Sequence, residues 1–195
     1  AETATKFGLG NKVFDILEAE KSGLVPTTQW KLENIGLGWV LGETLLAGIG
    51  QGYFQTTPIQ LCLMSAQLAN GGYKIKPRII YDEHALQSTA GTSREQFRQL
   101  YRNQENVKFV LDAQFGATNE PMGTSYGSRH VKPEYIFAGK TGTSQIRSIT
   151  AEERELKIKQ KDLPYKRRDH ALFIAFAPYK NPRYALSIVI EHGGT

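Results

Sequence analysis

The chain has 195 residues, 40% hydrophobic and 22% charged, with a formal net charge of +5. That size and apolar content fit one domain, or part of a larger one, and exclude a disordered chain, while interspersed acidic residues argue against nucleic-acid binding. A single cysteine, Cys62, excludes an intrachain disulfide or a cysteine metal site, and no apolar run of about 18 residues or basic-then-apolar start is present.

The opening AETATKFGLGNK reads as a helix ended by Gly8 or Gly10 in left-handed conformation. Ser22 to Thr28 is a turn, after which Thr27 or Thr28 can cap a short helix through Trp30 and Leu32. Glu43 to Tyr53, ETLLAGIGQGY, is apolar and glycine-rich, which predicts a sharp backbone path or a close approach by another segment. Thr57 to Asn70 is the best-specified helix: Thr57 as N-cap, Pro58 in the first turn, Gln60 at capping-box spacing, and apolar residues nearly all round, which predicts a buried core helix ended by Asn70-Gly71-Gly72.

Tyr73 to Tyr81 reads as a short strand broken by Pro77, and Thr92 with Glu95 can start a helix carrying Phe97 and Leu100. Val107, Val110, Leu111 and Phe115 mark a second amphipathic helix that Gly116 can end. Turn-rich Asn119 to Arg129 leads to a strand within Tyr135 to Gln145. Ala171 to Ala177 and Tyr184 to Ile190, joined by PYKNP, predict a hairpin buried on both faces and so helices on both sides of a sheet. Between the strand within Tyr135 to Gln145 and this hairpin, Ile149 to Asp169 is long enough to be an insertion, read either as a solvated excursion or as a docking surface for an anionic partner.

Chemistry concentrates in Gly139 to Gln145, GKTGTSQ. On a regular strand Thr141 and Thr143 share one face and Lys140 takes the other. Two hydroxyls can hold a carboxylate, Gly142 leaves room for a ligand lying along the strand, and the Thr143 N–H can stabilise an oxyanion. Lys140 would add positive charge from the far side, although a lysine on a strand edge also serves simply to deter aggregation. Lys-Thr-Gly is one of three motifs of the penicillin-recognising serine acyl-transferases, beside a Ser-x-x-Lys nucleophile and a Ser-x-Asn element. None of the nine serines has Lys three places on or Asn two places on. His84, His130, His170 and His192 lack metal-ligand spacing, Glu152, Glu153 and Glu155 read as a solvated helix face, and Trp30 and Trp39 as core or interface anchors.

GKTGTSQ resembles the active-site strand of class B penicillin-binding proteins, and GIGQGYFQTTPIQL (Gly48 to Leu61) resembles a second stretch of that family. Phe7-Gly8, EKSGLVPT (Glu20 to Thr27), Arg168-Asp169-His170, AFAPYKNP (Ala175 to Pro182) and EHGG (Glu191 to Gly194) are similar to segments of its elongation-type member, penicillin-binding protein 2. The resemblance runs from Ala1 to Thr195. It implies an α/β fold of the α+β type, a five-stranded antiparallel sheet flanked by helices, of which these residues form the carboxy-terminal portion of a single transpeptidase domain. The nucleophilic serine, its lysine base, the Ser-x-Asn element and any anchoring segment are then expected upstream of Ala1.

The resemblance implies a peptidoglycan D,D-transpeptidase at the periplasmic face of the bacterial inner membrane, acting on stem peptides, trapped by β-lactams and working with cell-elongation proteins. Lys140 and Thr143 carry over as catalytic, and Thr141, Gly142 and Thr143 as substrate-binding; no metal or organic cofactor is implied. The chain alone is expected to be inactive and to self-associate through the strand Tyr184 to Ile190 or an exposed helix, which sedimentation at high concentration would reveal. A β-lactamase or β-lactam sensor, and a non-catalytic muropeptide- or partner-binding module, are the alternative readings.

Overall fold

In the computed structural model, which describes residues 1–14, 17–79, 98–147, 153, 155–156 and 158–194, the helices are α1 (Glu2–Lys6), α2 (Thr28–Ile35), α3 (Leu41–Gly48), α4 (Pro58–Ala69) and α5 (Gln104–Asn119). The strands are β1 (Ala138–Ser144), β2 (His170–Ala177) and β3 (Tyr184–Ile190), joined antiparallel in the order β1-β2-β3. Among the described residues the sheet has three antiparallel strands flanked by helices, in line with the α+β fold expected, the five strands being those the resemblance implies for the whole domain. None of the described helices is long and apolar enough to cross a membrane.

Local chemistry explains most helix ends. Thr57 Oγ1 accepts from the Gln60 N–H at 3.3 Å, and Gln60 Oε1 accepts from the Thr57 N–H at 3.0 Å, closing the predicted capping box with Pro58 in the first turn. At the other end Gly71 takes φ +92°, and the Gly71 and Gly72 N–H groups reach Leu68 O and Gln67 O, so the last carbonyls are satisfied by a left-handed turn that favours glycine. Helix α1 ends in the same pattern at Gly8. Thr27 caps α2 by accepting from the Trp30 N–H at 3.0 Å.

Helix α4 departs from expectation in what it buries. Its buried positions are Gln60, Ser65 and Gln67, while its apolar side chains are at most half-buried and Ile59 is exposed. The polar residues serve as tethers: Ser65 Oγ donates to Ala175 O at 3.1 Å, and Gln67 Nε2 donates to Phe7 O at 2.9 Å while its Oε1 accepts from the Ile75 N–H at 3.0 Å. They satisfy backbone groups that packing would otherwise strand without partners.

The late hairpin forms as predicted, with Phe173 opposite Ile188 and Ala175 opposite Leu186, but β3 is not buried on both faces. Ala138, Phe176 and Ala185 lie in register on the face that meets α4 and α5, and Phe176 is the largest fully buried side chain among the described residues. Tyr184, Leu186, Ile188 and Ile190 line the opposite face and remain 41 to 70% exposed, because no described helix covers them there. On an edge strand with one covered face, the pleat gives alternation and not continuous burial.

Other expectations changed. Within ETLLAGIGQGY, Glu43 to Gly48 belongs to helix α3, whose Leu41 and Leu45 are exposed. Tyr73 makes only an isolated bridge to Gln99, and α5 runs past Gly116 to Asn119. The predicted helix start at Thr92 and Glu95 lies outside the described residues, as do His84 and Glu152. Glu153 is no solvated residue: it pairs with Arg147 at 2.6 Å and Arg167 at 3.2 Å, its side chain only 15% exposed.

A buried ion pair locks α2 to α3. Lys31 is 4% exposed, and its Nζ reaches Glu43 Oε1 at 2.6 Å and donates to Gly38 O at 2.7 Å, while Glu43 Oε2 accepts from the Val40 N–H. The hydrogen bond from Lys31, then that from the Val40 N–H, hold the Glu43 carboxyl below its ordinary range against the opposing effect of burial. A carboxyl depressed by folding stabilises the native state above its unfolded pKa of about 4.3, and that contribution is lost as pH falls through the lower folded value. Thermal midpoints measured from pH 7 to pH 3 are expected to fall more steeply at the acid end in the wild type than in Glu43→Gln. Parallel curves would contradict this role.

Candidate functional site

Among the described residues only β2 pairs with strand β1, which places β1 at the edge of the sheet and leaves one row of backbone groups open. Thr141 O accepts from Lys140 Nζ at 2.9 Å, and Thr143 O accepts from Gln51 Nε2 at 2.9 Å, so both carbonyls face the open edge. In an antiparallel strand a residue's N–H points to the same side as its carbonyl, which places the Thr141 and Thr143 N–H groups on that edge too.

Gly139 is required at the strand entry, where an added Cβ would meet Phe173 Cζ at 2.8 Å and collide with the Ile174 carbonyl. Helix α5 grips the same entry: Thr118 Oγ1 and Asn119 Nδ2 donate to Phe137 O at 3.1 and 2.9 Å. The chain then turns tightly back on α5, with the Ser125 N–H donating to Ala117 O at 2.9 Å, and this turn delivers Thr124 to the strand. Thr124 Oγ1 lies 3.2 Å from Thr141 Oγ1.

Lys140 departs from the expected geometry. Alternation puts its Cβ opposite Thr141, but Lys140 Nζ comes back to 3.2 Å from Thr141 Oγ1 as well as to Thr141 O. A flexible four-carbon stem on an open edge can curl round the strand, so the ammonium joins the threonine side of the site. Lys140, Thr141 and Gly142 are exposed and Thr143 is half-buried. The Lys140 ammonium, the Thr124 and Thr141 hydroxyls and the edge N–H groups thus converge on one exposed strip, a donor set suited to a carboxylate.

Gln51 connects the two long sequence motifs. Helix α3 ends with Gly50 at φ +73°, and the Gln51 N–H donates to Leu46 O at 2.9 Å, a turn that aims the Gln51 side chain at β1 across 92 residues of sequence. Within the GIGQGYFQTTPIQL stretch nothing in the sequence singles out Gln51, and Thr124 carries no motif at all. Of the histidines, His170 Nδ1 accepts from the His192 N–H at 2.9 Å and His130 Nδ1 from the Lys132 N–H at 3.2 Å, bonds that knit turns outside the strip. Trp30 packs against Tyr53 at a centroid distance of 5.4 Å, and Trp39 Nε1 donates to Thr44 Oγ1 at 2.9 Å.

The family model for the penicillin binding protein transpeptidase domain matches residues 1–195, so the class is that of a transpeptidase-type domain. The chain belongs to that family. It is 33% identical over 202 residues to the peptidoglycan D,D-transpeptidase MrdA of Salmonella typhimurium, covering 98% of this chain and 30% of that protein. The MrdA of Acinetobacter baumannii is 34% identical over 194 residues, covering 96% of this chain and 27% of that protein. Among solved structures, the complex between PBP2 and MreC from Helicobacter pylori matches with a TM-score of 0.77 at 28% identity, over 97% of this chain and 31% of that one. PBP2 of Pseudomonas aeruginosa in complex with WCK 5153 matches with a TM-score of 0.72 at 31% identity, over 98% and 38%. The chain therefore spans about a third or less of the curated relatives it matches.

Proposed function

We propose that these residues supply the substrate-binding strand of a peptidoglycan D,D-transpeptidase whose nucleophile lies outside them. The observation that carries this reading is the Gln51 Nε2 to Thr143 O hydrogen bond, which brings the GIGQGYFQTTPIQL stretch against the open edge of β1. An extended stem peptide can lie along that edge as an added strand, with its terminal carboxylate held by Thr141, Thr143 and Lys140 while Gly142 leaves it room.

A serine from the remainder of the protein attacks the D-Ala-D-Ala carbonyl, and the Thr143 N–H donates to the oxyanion as the tetrahedral intermediate forms. Collapse expels D-Ala, and an amine from a neighbouring stem peptide then attacks the acyl-enzyme ester and releases the serine with a new peptide bond. Lys140 supplies positive charge beside the carboxylate and lowers the energy of negative charge developing nearby. A β-lactam follows the first step, and its ring-opened acyl-enzyme persists.

The working location is the periplasmic face of the inner membrane, and an MreC-type elongation protein is the partner this reading names, on the precedent of the Helicobacter pylori complex. Fluorescent penicillin is expected to form a stable covalent adduct with the full-length protein and none with the isolated 195-residue chain. A stable adduct on the isolated chain would contradict the division of the site.

A further inference from the structure

We propose that Asp169 is a positioning residue that fixes the exit of β1, and with it the Thr143 N–H, in the geometry acyl transfer needs; this rests on the reading of β1 given above. Backbone pairing between β1 and β2 stops at Ser144 opposite His170. One step beyond, the Asp169 side chain takes over: its Oδ1 accepts from the Ile146 N–H at 3.2 Å, three residues after Thr143.

The rest of Asp169 is equally committed. Its Oδ2 accepts from Gln160 Nε2 at 2.7 Å, its N–H donates to Gln160 Oε1 at 3.0 Å, and its carbonyl accepts from the Gly194 N–H at 2.9 Å. Asp169 is 4% exposed, and among the described residues no cation forms an ion pair with it. Neighbouring Arg168 turns away, donating to Leu163 O and Lys161 O.

A buried carboxylate held by neutral, directional N–H donors is costly unless both oxygens are engaged, so its value lies in the geometry it enforces. Here that geometry is the strand exit. Gln51 pins Thr143 from the open edge, and Asp169 pins the segment that follows it from the β2 side. Loss of the second tether would let the chain after Ser144 swing away, and displacements of about 1 Å at a reacting group cost on the order of 100-fold in rate.

Donor and acceptor pattern supplies the test. In Asp169→Asn the new amide can accept from only one of its two donors, leaving a donor facing a donor. Gln160→Glu alone sets two carboxylates against each other. In the double variant, the carboxylate introduced at position 160 accepts from the backbone N–H of position 169 and from the amide NH₂ introduced there. The oxygen of that amide still accepts from the Ile146 N–H, so every bond is restored with the charge moved.

In the full-length protein, Asp169→Asn is expected to lower the saturating rate of penicillin acylation at least about tenfold, with little change in the half-saturating concentration, and the double variant to recover most of that loss. A purely structural role would move the thermal midpoint without this split. Wild-type acylation in Asp169→Asn, while Lys140→Ala has lost it, overturns the positioning role and leaves the reading of β1 intact. Wild-type rates in both overturn that reading as well. A double variant whose thermal midpoint recovers but whose acylation does not also overturns the positioning role.

Discussion

Replacing Lys140 with alanine in the full-length protein is expected to slow covalent labelling by fluorescent penicillin on the order of 10²- to 10³-fold, the usual cost of removing a group aimed at transition-state charge. Its thermal midpoint should barely move, because Lys140 is exposed and, among the described residues, its ammonium bonds only to the adjacent Thr141. Thr143→Ala gives a graded comparison: it deletes the hydroxyl and keeps the backbone N–H, so a smaller loss, about tenfold, is expected. Labelling at the wild-type rate in both variants would remove their assigned roles. Equal loss in the two would place the weight on the Thr143 hydroxyl and not on its N–H.

The largest effect on stability is expected at Gln60, whose side chain is fully buried at the start of α4. Its Nε2 donates to Asn11 O at 2.6 Å and Ser22 O at 2.7 Å, and its Oε1 accepts from the Thr57 N–H and Thr56 Oγ1. One amide therefore ties α4 to two loops that precede it. Gln60→Leu keeps the volume but removes the donors of two carbonyls, at up to about 1–3 kcal/mol each where water does not replace them. The loss is a large share of the roughly 5–15 kcal/mol that typically separates folded from unfolded states. Urea denaturation should show a lower midpoint with an unchanged slope. An unaltered midpoint would show that water replaces the lost donors.

Gln60 also illustrates what can and cannot be read from the residues. Its place in a capping box with Thr57 is legible because that signal is local, with fixed spacing and a fixed backbone consequence. Its long-range bonds to Asn11 and Ser22 are not, since a glutamine within an apolar helix carries no mark of which carbonyls it will meet. The hairpin β2-β3 is legible from its two apolar runs, but the exposure of Leu186, Ile188 and Ile190 is not, because burial depends on what covers a sheet. Helix α3 is obscured by Gly42, Gly48 and the glycines after it, which read more naturally as a bend.

At the candidate site, strand alternation predicts the side of the Lys140 Cβ but misplaces its charge. Alternation fixes a Cβ, and a lysine ammonium lies too far from its Cβ for that rule to hold on an open edge. Thr124 is invisible for a different reason: its role comes from the turn that follows α5, set by the Ser125 N–H on Ala117 O, and not from any spacing relative to Lys140.

The function proposed for β1 requires an acylated serine outside these residues. Peptide mass spectrometry of the penicillin-labelled full-length protein tests this most directly. The adduct is expected on one serine outside these 195 residues, in a peptide whose labelling is lost in Lys140→Ala. An adduct on any of the nine serines within the chain would contradict the account.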